Sequence, residues 1–237
     1  MKLGVKHSTS TIRKYMVDLP GAPNSTLSTF LSSHADQLFT VDFTTHYLWN
    51  FSVVYLSVVM ELGTRKIVQC GVTSSPTLDW VKQQIREATP WARAPRFLTH
   101  DNDGIFGQFG RLRTTIVGGH KKSFRCTLDA WLYQVMGIQG IPIPYGAPNA
   151  QAHIERFMGT LKRECLRHFI YFSERQLRRS ILEFVKYYNE VRPHQGIHEI
   201  PEPDISRQIP PPELVKKGRL VSQPILGGVH HDYRLAA

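Results

Sequence analysis

Apolar and polar residues alternate along this chain in two rhythms, and the order of the rhythms predicts the elements. Leu38 to Phe43, Tyr47 to Val54 and Lys66 to Val72 are β-branched and aromatic runs of strand length, separated by short polar breaks. They predict three consecutive strands, a meander. Leu78, Val81, Ile85 and Ala88 then fall at helical spacing and make one apolar face. Ser75 supplies an N-cap and Pro76 a first-turn proline, so a helix over about 76–88 is expected. Pro95 to Thr99 predicts a short strand that stops at His100-Asp101-Asn102-Asp103-Gly104.

The second half repeats the alternation. Leu128 to Met136 predicts a helix, Gly140 to Pro144 a strand, and the turn Tyr145-Gly146-Ala147-Pro148-Asn149 leads into a helix from Ala150 to about His168. Ser173, with Gln176 three residues on, forms a capping box ahead of a stripe of Leu177, Ile181, Phe184, Val185 and Tyr188, and Arg192-Pro193 ends that helix. At the N-terminus residues 5–16 predict one short helix and Pro20 to Thr29 a linker, with a boundary near residue 35. The tail is proline-rich from Pro201 to Pro212, then apolar from Leu220 to Leu235, where Gly227-Gly228 predicts a hairpin turn. Strands followed by helices in this order give an α/β fold with a mixed sheet.

Composition narrows the function. With 237 residues, 41% hydrophobic and 11% aromatic, the chain can bury a full core, which excludes whole-chain disorder. Cys70, Cys126 and Cys165 form no CxxC pair, so a disulfide scaffold and a zinc knuckle are both unsupported, and a reducing, intracellular compartment is expected. The longest nearly apolar run, Phe51 to Met60, falls far short of the ~18 residues of a membrane span, and no signal-peptide pattern follows Met1. The net charge of +10 calls for a polyanionic partner, nucleic acid before membrane. That charge is uneven: residues 41–110 sum to zero and residues 111–150 to +4, with Arg111, Arg113, Lys121, Lys122 and Arg125 close together.

Acid beside base is either the pattern of a phosphate-handling site, in which carboxylates hold metal ions and cations hold a nucleic-acid backbone, or that of a solvated loop with a solubilising charge excess. Phosphodiester chemistry needs an activated nucleophile and a stabilised leaving oxygen, and two Mg²⁺ ions about 4 Å apart supply both when a few carboxylates clamp them. Asp42 sits in an apolar strand, Asp101 directly after a strand, and Glu155 early in a helix. Each alone has an ordinary explanation: a strand-end aspartate bonds a neighbouring loop, and a first-turn glutamate is favoured by the helix dipole.

The combination is more specific. Thr40-Val41-Asp42-Phe43, His100-Asp101-Asn102-Asp103-Gly104-Ile105-Phe106-Gly107 and Pro148-Asn149-Ala150-Gln151-Ala152-His153-Ile154-Glu155-Arg156-Phe157 together resemble the integrase core domain of bacterial insertion-sequence transposases of the retroviral-integrase superfamily. Leu161-Lys162-Arg163-Glu164 and Tyr187 to Gln195 extend the resemblance, which covers roughly residues 35–200. It implies a ribonuclease-H-like fold, an α/β architecture with a mixed five-stranded sheet flanked by helices. It implies a DNA transposase or integrase that hydrolyses phosphodiesters and transfers strands, with two Mg²⁺ or Mn²⁺ ions. Asp42 would bridge both ions, Asp101 would complete one site and Glu155 the other. Lys162, two helical turns past Glu155 on the same face, would contact DNA, as would Arg156 and the basic residues Lys121, Lys122 and Arg125; an ordinary solvent-facing lysine is the other reading of Lys162. The implied partners are element-end and target DNA and further copies of the chain assembled on it, with no membrane, in a cytoplasmic, nucleoid-associated setting.

Three departures modify the expectation. Between Asp101 and Glu155 lie 53 residues, a wider gap than the family usually shows, and the excess fits a basic insertion at about 110–126. Asp103 stands where the family often has glycine, which makes it a rival or neighbour to Asp101, and Asn149 is either a site residue or simply an N-cap. Residues 5–16 resemble the recognition helix of a helix-turn-helix without the helices before it, so residues 1–34 are expected to be a remnant of that module plus a linker, ahead of the core at 35–200 and the tail at 201–237. The alternatives are a catalytically impaired DNA-binding remnant and a ribonuclease-H-like nuclease.

Overall fold

Five strands pair into one mixed sheet with helices on both faces. A computed structural model describes residues 22–90, 94–101, 104–107, 113–117, 120–124, 126–143, 151–192 and 219–236. Along the chain run α1 (Ala22–Ser33), β1 (Leu38–Tyr47), β2 (Val53–Glu61), β3 (Ile67–Thr73), α2 (Leu78–Ala88), β4 (Phe97–His100), β5 (Arg113–Val117) and β6 (His120–Phe124). There follow α3 (Thr127–Trp131), β7 (Gln139–Pro142), α4 (Ala152–Glu164), α5 (Glu174–Glu190), β8 (Arg219–Ile225) and β9 (His230–Ala236). The sheet order is β3-β2-β1-β4-β7; β1 to β3 form the antiparallel meander, and β4 and β7 add in parallel.

Two buried layers sandwich this sheet. Val54, Leu56, Val58 and Met60 of β2 face Ile154, Phe157 and Leu161 of α4 and Leu177, Ile181 and Phe184 of α5. On the other face Phe39 and Val41 of β1 and Leu98 of β4 meet Val81, Ile85 and Ala88 of α2 and Leu128 of α3. Each such side chain contributes about 1.5–3 kcal/mol by leaving water. Asn189 ties α5 to the edge of the sheet: its carboxamide accepts from the Ile67 N–H at 3.0 Å and donates to the Ile67 carbonyl at 2.9 Å.

Several elements depart from the sequence expectation, each for a local reason. The stretch expected to be a linker through Thr29 is helical from Ala22, because Leu27, Phe30 and Leu31, at helical spacing, pack on Leu38, Phe97 and Ile143 at the sheet's end. The strand expected over Tyr47 to Val54 is a turn at its centre. Leu48 donates its N–H to the Ser52 carbonyl at 3.0 Å, the Asn50 carboxamide oxygen accepts from the Ser52 N–H at 3.1 Å, and Phe51 takes a left-handed φ of 60°. The apolar run that follows is β2 instead. Helix α2 starts at Leu78 rather than Pro76, because Thr77 is the residue whose hydroxyl accepts from the Trp80 N–H. The expected basic loop at 110–126 contains a hairpin, β5 with β6, in which Lys121 pairs with Ile116 and Lys122 with Thr115. Hairpin β8–β9 matches the expected tail hairpin. The helix expected over residues 5–16 lies outside the described residues.

Candidate active site

Strand pairing decides where the acidic side chains meet. β1 and β4 run parallel with Thr40 opposite Thr99; Asp42 follows two residues on in β1, and Asp101 two residues on, just past the end of β4. Phe39 and Val41 point into the α2 layer, so by strand alternation Asp42 points to the opposite face. That is the face covered by α4, which packs across β1 and carries Glu155 in its first turn.

The acidic side chains act on one another's charge. Burial, above all, lifts the Asp42 carboxyl to about 6, and the negative charges of Asp101 and Glu155 add to the rise. The Phe43 N–H, donating to Asp42 Oδ1 at 2.7 Å, and the Lys162 ammonium act in the other direction. The structure therefore brings Asp42, Asp101, Glu155 and Lys162 into one electrostatic neighbourhood, although 53 residues separate the second acid from the third. Part of that intervening chain is the β5–β6 hairpin, which pairs with itself and leaves the five-stranded sheet uninterrupted. Hard carboxylate oxygens brought together, one of them raised first by burial and then by its acidic neighbours, are a donor set suited to Mg²⁺ or Mn²⁺, because a cation offsets both the desolvation and the repulsion of the charged forms.

Basic side chains flank the acids. Lys162 and Arg156 are exposed on α4, and Lys162 also lies near His46, whose imidazole is held below its ordinary range first by burial and then by that ammonium. His153 is likewise held low by burial, then by Arg65 and Arg156. Lys121 and Lys122 lie on β6. Arg125, Asp103 and Asn149 lie outside the described residues.

One feature of the site was not legible in the sequence. His100, fully buried, donates from Nδ1 to the Asp101 carbonyl at 2.7 Å, and its Nε2 lies 2.9 Å from Asp129 Oδ1. Cys126 caps α3 by accepting the Asp129 N–H at Sγ, 3.4 Å away, and burial pushes its thiol up to about 12. The ligand atoms of His100, Cys126 and Asp129 lie within 4.8 Å of one another. His100 belongs to the motif read from sequence, but Asp129 is 29 positions away beyond an inserted hairpin, and no spacing rule links the two.

Comparison with known proteins agrees with this architecture. An integrase core domain model matches residues 136–201. The 39.2 kDa protein of insertion element IS476 of Xanthomonas euvesicatoria is 28% identical over 170 residues, covering 72% of this chain and 44% of that protein. A transposase-like protein of Haemophilus influenzae is 21% identical over 172 residues, covering 69% and 67% respectively. The chain thus spans less than half the length of the insertion-element relative. Among solved structures, the catalytic core of the HTLV-2 integrase in complex with magnesium superposes with a TM-score of 0.51 at 11% identity over 70% of this chain and 93% of that one. The simian T-cell lymphotropic virus intasome, in complex with a PP2A regulatory subunit, gives 0.54 at 12% identity over 85% and 67%. The fold is the ribonuclease-H-like one of integrase catalytic cores, and the chain has an integrase-type core similar to that of insertion-element transposases. No helix among the described residues is long and apolar enough to cross a membrane.

Proposed function

We propose that this integrase-type core is the catalytic part of a DNA transposase, and that Asp42, Asp101 and Glu155 together hold divalent metal ions, two Mg²⁺ or Mn²⁺, for phosphodiester hydrolysis and strand transfer. The observation that carries the reading is the convergence of Asp42 on β1, Asp101 just past β4 and Glu155 on α4, which packs across β1; burial first, and then the other two carboxylates, raise the Asp42 carboxyl to about 6. Metal ions held there supply Lewis acidity at the phosphoryl group and a more acidic bound water. The chain's own residues do the rest. Asp42, on the central strand β1, is a rigid ligand; Asp101 sets the second carboxylate beside it; Glu155 closes the site from α4. Lys162 and Arg156 on that helix hold backbone phosphates beside the reacting strand. Lys121 and Lys122, on the β5–β6 hairpin, extend the grip along the DNA, with each phosphate contact adding a salt-sensitive increment to affinity. Further copies of the chain assemble on the DNA ends.

The test is strand nicking of supercoiled plasmid DNA in Mg²⁺ or Mn²⁺, with Asp42→Asn, Asp101→Asn and Glu155→Gln beside the wild type. The reading expects metal-dependent nicking and a loss of ~100-fold in each variant. Wild-type nicking by Asp101→Asn would overturn it.

A further inference from the structure

We infer that His100 and Asp129 are a positioning pair for Asp101: Asp129 fixes the imidazole of His100, and His100 fixes the backbone from which the Asp101 carboxylate projects. The inference rests on the proposed reading of Asp101 as a metal ligand.

The geometry argues in three steps. First, Asp101 stands one residue past the last ladder position of β4, where His100 pairs with Pro142. The Ile143 N–H, donating to the His100 carbonyl at 2.8 Å, holds the peptide that enters Asp101, and the 2.7 Å bond from His100 Nδ1–H to the Asp101 carbonyl constrains the peptide that leaves it. Second, a carbonyl only accepts, so Nδ1 must carry a proton. The other ring nitrogen meets a carboxylate at 2.9 Å with one proton between them, which locks both the ring's rotation and the nitrogen that faces Asp101. Third, the Asp129 carboxylate is itself built in. Cys126 caps the turn it sits on, and a Cβ at residue 140 would collide with Asp129 Oδ1, so Gly140 of β7 leaves the space that the carboxylate fills. His100 and Asp129 are almost wholly buried, and the Phe106 ring lies tilted against the His100 ring with centroids 4.9 Å apart. A buried pair of this kind is costly unless each group is satisfied, and here each is.

His100, Cys126 and Asp129 also form a compact set of metal-ligand atoms. Positioning accounts for the contacts better: Nε2 and Oδ1 are bonded to each other, and Sγ is occupied as a cap while its thiol keeps its proton.

The experiment separates these roles by Mn²⁺ titration of the full chain without DNA, followed by electron paramagnetic resonance, with urea unfolding to confirm the fold of each variant. The amide nitrogen of glutamine takes about the place of Nε2 and that of asparagine about the place of Nδ1. His100→Gln keeps the partner of Asp129 and loses the bond to Asp101; it is expected to weaken Mn²⁺ about ten- to a hundredfold. His100→Asn keeps a donor toward Asp101 and is expected to retain most of the affinity even if it is less stable. If His100→Gln does not fold, Asp129→Asn, which keeps the shape and removes the charge that holds the ring, carries the test and is expected to weaken Mn²⁺ several-fold. Wild-type affinity in folded His100→Gln, or in Asp129→Asn when it serves in its place, overturns the inference while leaving the triad reading intact. Wild-type affinity in Asp101→Asn overturns both. A bound transition metal lost in Cys126→Ser makes the three side chains a metal site of their own and also overturns the inference.

Discussion

Asp42 of β1 and Asp101, directly after the end of β4, each lie two residues beyond the paired threonines Thr40 and Thr99 of neighbouring parallel strands. In the metal-free protein the burial of Asp42, with the nearby charges of Asp101 and Glu155, has a stability cost that pH reveals. The folded-state value of Asp42 is raised from 3.8 to about 6, so its stabilising contribution is complete below about 4 and is lost as pH rises through about 6. Asp42→Asn is therefore expected to match the wild type in unfolding free energy near pH 4 and to exceed it near pH 7.5, by something on the order of 2 kcal/mol. Urea unfolding at the two pH values measures this, and added Mg²⁺ is expected to narrow the difference by stabilising the wild type. A difference that shrinks with rising pH would contradict the account.

Gly140 is expected to tolerate no side chain. A Cβ there meets the Asp129 carboxylate and comes within 3.3 Å of the Asp129 Cα, so neither β7 nor α3 can yield cheaply. Gly140→Ala should lose ~2–3 kcal/mol in urea unfolding, as overpacking of a buried site does.

Asn189 holds α5 on β3 through both of its amide groups, and it is buried. Asn189→Asp removes the donor to the Ile67 carbonyl and buries a charge. About 3 kcal/mol of destabilisation at pH 7 is expected, falling at acid pH as the carboxyl protonates.

Glu164 and Arg192 join the ends of α4 and α5 by two bonds of 2.8 Å, and the Glu164 carbonyl accepts from His230 of the β8–β9 hairpin at 2.7 Å. A double-mutant cycle with Glu164→Gln and Arg192→Ala is expected to give about 1 kcal/mol of coupling, because the pair is bidentate and only partly exposed. Arg192→Lys is expected to lose most of it, since a single ammonium cannot form both bonds.

Lys162 acts on DNA through charge alone in this account. Lys162→Ala is expected to weaken binding to unrelated duplexes by a similar factor and to lower the slope of log affinity against log salt by about 1. An unchanged slope would place Lys162 off the DNA path.

The alternating and helical patterns made β1, β3, β4, β7 and α5 legible because their residues are committed to burial. Asp42 and Asp101 became candidates through the combined motifs, because an acid inside or directly after an apolar strand has by itself an ordinary explanation. The turn at Leu48 to Ser52 was hidden because Trp49 and Phe51, large apolar residues that usually mark a strand, project from it into solvent, 58% and 85% exposed. Helix α1 was hidden by composition, since serine, asparagine and proline read as linker until Phe30 and Leu31 find Phe97 and Ile143 in space. Asp129 is the clearest case. Nothing near it in sequence calls for a buried carboxylate, and its partner becomes visible only when β4 and α3 are packed together.

On the proposed reading, Asp42, Asp101 and Glu155 hold the metal ions. Anomalous diffraction at the manganese edge from crystals of the chain grown with Mn²⁺ tests it most directly. The account predicts anomalous density between the Asp42 and Asp101 carboxylates with Glu155 against it, and loss of that density in Asp42→Asn. Density seated on His100, Cys126 and Asp129, or none at the three carboxylates with Mn²⁺ saturating, would contradict it.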